Sequence, residues 1–200
     1  MKLVCLDLEG VLTPEIWITF SKKTGIKELS LTTRDISDYD VLMKKRLNIL
    51  KEHKLSLSDI QDVISCIGPL SGAFEFLNEL RSLYQVIILS DTFEEFAKPL
   101  MEKLNKPTIF CNSLVVDQNN MIVDYSLRQK DGKKKAVIAF QSAGYNVTAA
   151  GDSYNDISML KTAEHGALFC PPENIHEEFP EFPVARDYSA LMEIIKKTDL

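Results

Sequence analysis

Acidic and hydroxyl side chains follow three short apolar segments of the chain. Asp7 and Glu9 come directly after the first segment, in "KLVCLDLEG", and Asp152 follows another, in "NVTAAGD". Ser90 and Asp91 close a third segment, "QVIILSD". Segments of this kind are typical of strands buried on both faces of a parallel sheet. Because ligands bind at the carboxyl ends of such strands, we expect these side chains to share one crevice.

The pair formed by Asp7 and Glu9 is suited to phosphoryl transfer. One carboxylate can attack phosphorus and form an aspartyl-phosphate, provided that a divalent cation reduces the repulsion between the two anions. Asp7 fits that role, and Asp7 together with Asp152 offers the oxygen ligands that Mg²⁺ prefers. Glu9 can protonate the leaving oxygen and later accept the proton of an incoming water or alcohol.

Two further features could bind the phosphate itself. Ser90 can donate a hydrogen bond to a phosphate oxygen, helped by the free amides of a helix that we expect to begin near Thr92. Ser90 can equally be the N-cap of that helix. The run "KDGKKK" precedes another predicted helix, and only one of its lysines can face the crevice, for which Lys133 is favoured. The simpler alternative for this run is a set of solvated charges.

The rest of the chain alternates short apolar segments with amphipathic helical patterns. Strands are predicted at "KLVCLD", "QVIILSD", "TIFCNSL", "NVTAAGD" and "GALFCPP", and helices at "GAFEFLNELRSL", "FEEFAKPLMEKL" and "KKAVIAFQSAG". The stretch "DQNNMIVDYSL" is typical of a β-hairpin. Alternation of this kind predicts an α/β fold with a doubly wound parallel sheet, covered by helices on both faces.

The alternation is interrupted between Pro14 and Pro69. This stretch is helical by period and polar, with no buried strand segment. A helical insertion after the first strand would lie over the strand ends as a cap. We therefore predict a core domain from residues 1–12 and 70–200 and a helical cap domain from residues 13–69.

Composition excludes several classes of protein. The 200 residues are 45% hydrophobic and 26% charged, with a net charge of −6 that disfavours nucleic acid as a partner. No apolar stretch approaches the roughly 20 residues of a membrane span, and the first residues do not resemble a signal peptide. We expect a cytoplasmic protein that binds no membrane. The four cysteines are scattered without the spacing of a metal site, and Cys5, Cys111 and Cys170 lie in or at the ends of apolar segments, which favours core positions over a reactive role.

Four motifs together resemble those of the haloacid dehalogenase superfamily of phosphotransferases. They are "DLEGVL", "ILSDTF", the lysine run and "GDSYND", in that order. The usual first motif is D-x-D-x-T/V, so Glu9 stands where the second Asp is typical. The helical insertion matches the phosphoserine phosphatase branch. Over nearly the whole chain, the sequence is similar to members of that branch that also transfer the phosphoryl group to homoserine.

The resemblance implies catalytic and metal-binding roles. In it, Asp7 is the nucleophile, Glu9 the acid and base, and Lys133 the lysine that balances the charge of the phosphate. Mg²⁺ would bind Asp7, Asp152 and the backbone carbonyl of Glu9, and Asp156 would support the metal from close by.

The resemblance also implies substrate contacts. Glu15 and Arg46 fall where that branch binds the amino group and the carboxylate of phosphoserine, and an arginine offers a carboxylate two parallel hydrogen bonds. Ser90 and Asp91 would contact the phosphate or its neighbourhood, and Asn155 the substrate. Without the resemblance, Glu15 and Arg46 could be an ordinary surface ion pair.

Two alternatives remain open at this point. The enzyme could hydrolyse another small phosphomonoester, in which case Glu15 and Arg46 would be irrelevant. A catalytically silent binding module is the second alternative, and the presence of Asp7, Lys133 and Asp152 speaks against it. The partition between water and homoserine as acceptors is left open, as is a homodimer formed through an apolar surface of the cap.

Overall fold

The centre of the molecule is a seven-stranded sheet. The computed structural model describes residues 1–32, 35–36 and 38–198. In this part of the chain the strands follow the spatial order β4-β3-β2-β1-β5-β6-β7, and all neighbours are parallel except β3 and β4. The predicted α/β fold is confirmed. The strands are β1 (Lys2–Leu6), β2 (Gln85–Phe93), β3 (Thr108–Val116), β4 (Ile122–Ser126), β5 (Asn146–Gly151), β6 (His165–Phe169) and β7 (Val184–Ala185).

Helices cover both faces of this sheet. Successive side chains of a strand point to opposite faces, so β1 contributes Leu3 and Cys5 to one apolar cluster and Val4 and Leu6 to the other. Helices α6 and α7 pack on the first face, and α4 and α9 on the second. The helices are α1 (Ile16–Thr24), α2 (Tyr39–Glu52), α3 (Leu57–Ser65), α4 (Ala73–Leu83), α5 (Glu94–Lys103), α6 (Gly132–Ser142), α7 (Ile157–Thr162), α8 (Glu173–Glu178) and α9 (Tyr188–Lys197).

Strand β1 lies between β2 and β5 in the sheet. Its last residue, Leu6, pairs with Ile88 of β2 and with Ala150 of β5. The carboxyl ends of these three strands therefore meet at one edge of the sheet, as the polar residues of the sequence predict. The backbone N–H of Asp7 continues the pairing by donating to the carbonyl of Ala150 over 3.0 Å.

A helical segment follows β1, as predicted from the sequence. It contains α1, α2 and α3, which we call the cap helices, and a short 3₁₀ helix at Lys27–Ser30. Helix α3 packs on α5, and the Lys103 ammonium group fixes its end by donating to the carbonyls of Ser65 and Ile67 over 2.5 and 2.6 Å. The boundaries of the two predicted domains stay a prediction.

The predicted hairpin is also confirmed, and it supports the cap helices. Strands β3 and β4 are antiparallel, and their turn is closed by a hydrogen bond from the amide of Asn120 to the carbonyl of Asp117. The carbonyl of Asn120 accepts the amide of Leu57 at the start of α3 over 2.9 Å. The hydroxyl of Tyr125 donates to Asp40 of α2 over 2.7 Å.

One local prediction is wrong. Ser90 is not a helix N-cap, because β2 continues to Phe93, which is itself the N-cap of α5; the helix expected near Thr92 does follow, beginning at Glu94. The pairing of β2 with β3 shifts register between Leu89 and Phe93. Inside that irregular stretch the Ser90 hydroxyl accepts the amide of Thr92 over 3.2 Å, which is a local turn within the strand.

Several elements were not predicted from the sequence. Strand β7 has only two residues, and α7 and α8 have six each, too short for a periodic pattern to be read. Helix α9 has an amphipathic pattern that the sequence analysis did not use. None of the helices in the described part of the chain combines the length and the apolar character needed to cross a bilayer.

Candidate active site

Asp7 lies directly after β1 and is almost fully buried. The residue as a whole is 4% exposed. One carboxylate oxygen, Oδ1, accepts the backbone N–H of Leu8 over 2.7 Å and lies 2.9 Å from the ammonium group of Lys133. Burial and the charges of Asp156 and Asp152 raise the pKa of Asp7 well above its usual range, and Lys133 opposes them. A bound cation would oppose the same repulsion.

Lys133 is the lysine of the basic run that faces the site. It is 4% exposed, whereas Lys130 and Lys135 are exposed. Its ammonium nitrogen lies 2.7 Å from Asp156 and 2.9 Å from Asp7. Burial alone would lower the pKa of Lys133, but the carboxylates around it outweigh that effect and hold the pKa well above its usual range. Lys133 therefore stays positively charged.

Three carboxylates form a cluster that fits a divalent cation. Asp7, Asp152 and Asp156 each place one oxygen within 4.8 Å of the others. Asp156 is fully buried, and its Oδ2 accepts the amides of Asp152 and Ser153 over 3.0 and 3.1 Å. Its Oδ1 accepts from Lys133. Both oxygens of Asp156 are thus engaged, so Asp7 and Asp152 are better placed to bind Mg²⁺, which prefers a few carboxylates plus water.

Two glycines make room for these carboxylates. A Cβ at Gly10 would lie 2.5 Å from the carboxyl carbon of Asp152, and Gly10 has a φ of +82°, which disfavours other residues. A Cβ at Gly151 would overlap the carboxyl group of Asp156. The residues present therefore fit the metal that the sequence predicts, and the sequence analysis missed the part played by both glycines.

Glu9 points away from the three-carboxylate cluster and towards helix α1. Its Oε2 accepts the backbone N–H of Ile16 over 2.8 Å, and the side chain of Thr92 is also hydrogen-bonded to it. Burial and the nearby charge of Glu15 raise the pKa of Glu9 to about 8. Glu9 is thus protonated over most of the neutral range, the state that a proton donor needs.

Arg46 is a buried cation on the cap side of the same cavity. It is 7% exposed, and its guanidinium lies 4.5 Å from the ring centroid of Trp17. One nitrogen donates to the carbonyl of Leu31 over 2.7 Å. Within the described residues, no carboxylate lies within 4.0 Å of this guanidinium, and its Nε has no hydrogen-bond partner. Burial lowers the pKa of Arg46 to about 10, so it remains charged at neutral pH. The alternative of a surface ion pair is excluded.

The predicted residues meet in one cavity of about 320 Å³. Its wall includes Asp7, which follows β1, Glu15 at the start of α1 and Arg46 on α2. Asn155 donates to the carboxylate of Asp91 over 3.1 Å, and this carboxylate lies 3.9 Å from the nitrogen of Lys133. The cavity wall includes the predicted site residues except Lys133, which contacts Asp7, and Asp156, which contacts Lys133.

The cavity also contains residues that the sequence analysis did not assign to it. Tyr39 is one, and it lies seven positions before Arg46 on α2, a spacing that places both on one helix face and could have revealed it. Trp17 is another residue of this kind. It contacts Phe96, at 5.6 Å between ring centroids, and it also lines the cavity beneath Arg46.

Comparison with known proteins agrees with this geometry. The family model of haloacid dehalogenase-like hydrolases matches residues 1–164. The chain belongs to this family. The matched residues include the segment that contains Asp7 and those of the other three motifs.

Two curated members of the family and one solved structure are similar over nearly the whole chain. The phosphoserine phosphatase ThrH of Pseudomonas aeruginosa is 58% identical over 191 residues, 96% of this chain and 93% of that protein. A phosphoserine phosphatase of Pseudomonas syringae pv. tomato is 55% identical over 200 residues, 100% of this chain and 84% of that protein. A phospho-aspartyl intermediate analogue of a phosphoserine phosphatase superposes with a TM-score of 0.77 at 26% identity, covering 98% of both chains.

Proposed function

We propose that this hydrolase is an Mg²⁺-dependent phosphatase of O-phospho-L-serine. The observation that carries the proposal is Arg46, a buried cation that faces the same cavity as Asp7. Among the described residues, no carboxylate forms an ion pair with this buried guanidinium, so the site suits a ligand that brings an anionic group to Arg46 and a phosphate to Asp7. The names of the two Pseudomonas relatives support phosphoserine as that ligand.

In the first step, Asp7 attacks the phosphorus of phosphoserine. Leu8 and Lys133 both bind Oδ1 of Asp7, so we assign the attack to Oδ2. A P–O bond forms to Asp7 while the bond from phosphorus to the serine oxygen breaks, and Glu9 gives its proton to that oxygen. A bound Mg²⁺ would reduce the repulsion between the carboxylate and the phosphate. Lys133 offsets the charge of the transferred group.

In the second step, the aspartyl-phosphate is broken by water. Glu9, now ionised, accepts the proton of the incoming water, whose oxygen forms the new bond to phosphorus while Asp7 leaves as a carboxylate. The solved analogue of a phospho-aspartyl intermediate belongs to a protein with 26% identity and the same fold, which supports this route. Glu9 returns to its starting state, so the cycle is closed.

The amino-acid end of the substrate would bind at the cap helices. Arg46 suits the carboxylate, because a guanidinium presents two parallel donors. Glu15 suits the ammonium group and lines the same cavity. These contacts would favour phosphoserine over phosphomonoesters that lack the two charged groups.

The proposal extends to homoserine as an alternative acceptor. Homoserine carries the same two charged groups as serine and a chain one methylene longer, a difference that a pocket resolves by only about 1–3 kcal/mol. Its hydroxyl would replace water in the second step and give its proton to Glu9. The product would be O-phosphohomoserine.

A product assay tests both parts of the proposal. Phosphoserine and Mg²⁺ are supplied with and without millimolar homoserine, and inorganic phosphate and phosphohomoserine are measured together. Phosphohomoserine formed at the expense of phosphate is the expected result. Unchanged phosphate release would refute the transferase activity alone, and absence of phosphoserine turnover would refute the substrate.

A further inference from the structure

Asp91 places a fourth carboxylate beside the phosphate site, outside the metal-binding cluster. Its Oδ2 lies 3.9 Å from the nitrogen of Lys133, which already contacts Asp7 and Asp156. The cluster that fits a cation consists of Asp7, Asp152 and Asp156 and does not include Asp91. Asp91 therefore adds negative charge near the lysine without contributing to the grouping that would bind the metal.

Hydrogen bonds hold Asp91 in this position. Asn155 donates to its carboxylate over 3.1 Å. Its backbone carbonyl accepts a hydrogen bond from the hydroxyl of Tyr39 over 3.3 Å and one from the side-chain amide of Asn112 over 3.1 Å. The side chain is 43% exposed at the cavity wall, and its hydrogen bond from Asn155 keeps the carboxylate near Lys133.

The negative charge of Asp91 lowers the affinity of the site for phosphate. Phosphate released by the second step would share Lys133 with Asp7, Asp91 and Asp156, and the charge of Asp91 would repel it. Partial exposure screens the repulsion, so the effect is moderate. We infer that the charge of Asp91 weakens the binding of free phosphate and so speeds its release. This inference rests on the proposed function.

The substitution Asp91→Asn isolates the charge from the geometry. An asparagine keeps the shape of the side chain, and its amide oxygen can still accept from Asn155. Glu181→Gln is the matched control, because it removes the same unit charge from an exposed residue, 3.8 Å from Lys161 and outside this cavity. Asp91→Glu, which keeps the charge, completes the series.

The test is the dissociation constant of inorganic phosphate, measured by calorimetry on each variant with saturating Mg²⁺. We expect Asp91→Asn to bind phosphate about fivefold more tightly than the wild type. The difference between the two dissociation constants should be smaller at high salt. Glu181→Gln and Asp91→Glu should match the wild type. Equal or weaker binding by Asp91→Asn would overturn the role of Asp91 while leaving the proposed function intact. A wild type that turns over no phosphoserine and binds no phosphate would overturn both.

Discussion

The carboxylate of Glu9 accepts a hydrogen bond of 2.8 Å from the backbone N–H of Ile16, the first residue of α1. The first amides of a helix have no partner within it, and the N-cap of α1, Glu15, makes no side-chain hydrogen bond to them. Glu9 therefore supplies the cap for α1 from the end of β1. An aspartate, one methylene shorter, would not reach this amide from the same backbone position.

Glu9→Asp should weaken the attachment of α1 while keeping an acid in the site. Loss of a helix-capping interaction lowers the free energy of unfolding by about 0.5–2 kcal/mol, and we expect a loss in that range. Denaturant unfolding of the wild type and of Glu9→Asp measures it. Ser56→Ala removes the cap of α3 in the same segment and serves as a control for a cap far from the chemistry. Unchanged stability of Glu9→Asp would contradict the capping role.

The raised pKa of Glu9 should make stability depend on pH. Burial raises this pKa from 4.5 to about 8, so between these values the folded chain binds more protons at Glu9 than the unfolded chain does. The free energy of unfolding should then fall as pH rises through this window, by at most about 1.4 kcal/mol per pH unit from this group.

Glu9→Gln removes this titration and provides the comparison. Unfolding is measured for both proteins at several pH values with a chelator present. The wild type should lose stability relative to Glu9→Gln between pH 4.5 and about 8. A constant difference between the two curves would show that the pKa of Glu9 is not raised in the folded protein.

Gly10→Ala should damage the metal site through Asp152. The added Cβ would lie 2.5 Å from the carboxyl carbon of Asp152, so that carboxylate must move. We expect the affinity for Mg²⁺ to fall about 10–100-fold, the range typical of disturbed ligand positioning. Gly144→Ala is the matched control, since it has a φ of +86° and open space around the added atom. If both variants bind Mg²⁺ like the wild type, Gly10 does not make room for a metal ligand.

Arg46→Ala should separate phosphoserine from simple phosphomonoesters. Loss of the guanidinium should lower kcat/KM for phosphoserine about 100-fold or more, as expected for a buried, charge-assisted contact. The kcat/KM for an aryl phosphate, which has no carboxylate, should stay nearly the same. The neighbouring Lys45→Ala is the control, because Lys45 is exposed on the same helix. Equal losses on both substrates would refute the contact between Arg46 and the substrate carboxylate.

Asp7→Asn should abolish the covalent intermediate. After brief reaction with ³²P-labelled phosphoserine and acid quenching, the wild type should retain label, and Asp7→Asn should retain none. Asp156→Asn keeps the nucleophile and should still be labelled, more slowly, because only the support of Asp152 and Lys133 is weakened. Label on the Asp7→Asn variant would refute the assignment of the nucleophile.

The sequence predicted best those polar side chains that lie directly after a buried strand. Asp7, Asp152 and Lys133 could be predicted because buried strands, a helix start and a limited choice of residue types leave few alternatives. The contact between Glu9 and Ile16 could not, because it depends on how α1 leaves the sheet edge. Ser90 was misjudged as a helix cap because a strand irregularity and a helix start share the same residue preferences.

The burial of Arg46 was equally beyond the sequence. An arginine on a polar helix is usually exposed, and only the tertiary packing shows that Trp17 covers its guanidinium. The sequence therefore indicated the carboxylates and the lysine at the strand ends better than it indicated the part of the cavity wall formed by the cap helices.

The position of β1 in the middle of the sheet has a consequence for the synthesis of the protein. One side of β1 pairs with β2, but its other partner, β5, begins at Asn146. Translation proceeds at about 5–20 residues per second, so the second edge of this apolar strand waits several seconds for its partner on the ribosome. A chaperone that recognises unpaired apolar strands could bind during that interval, before Asp152 and Asp156 of the carboxylate cluster have been synthesised.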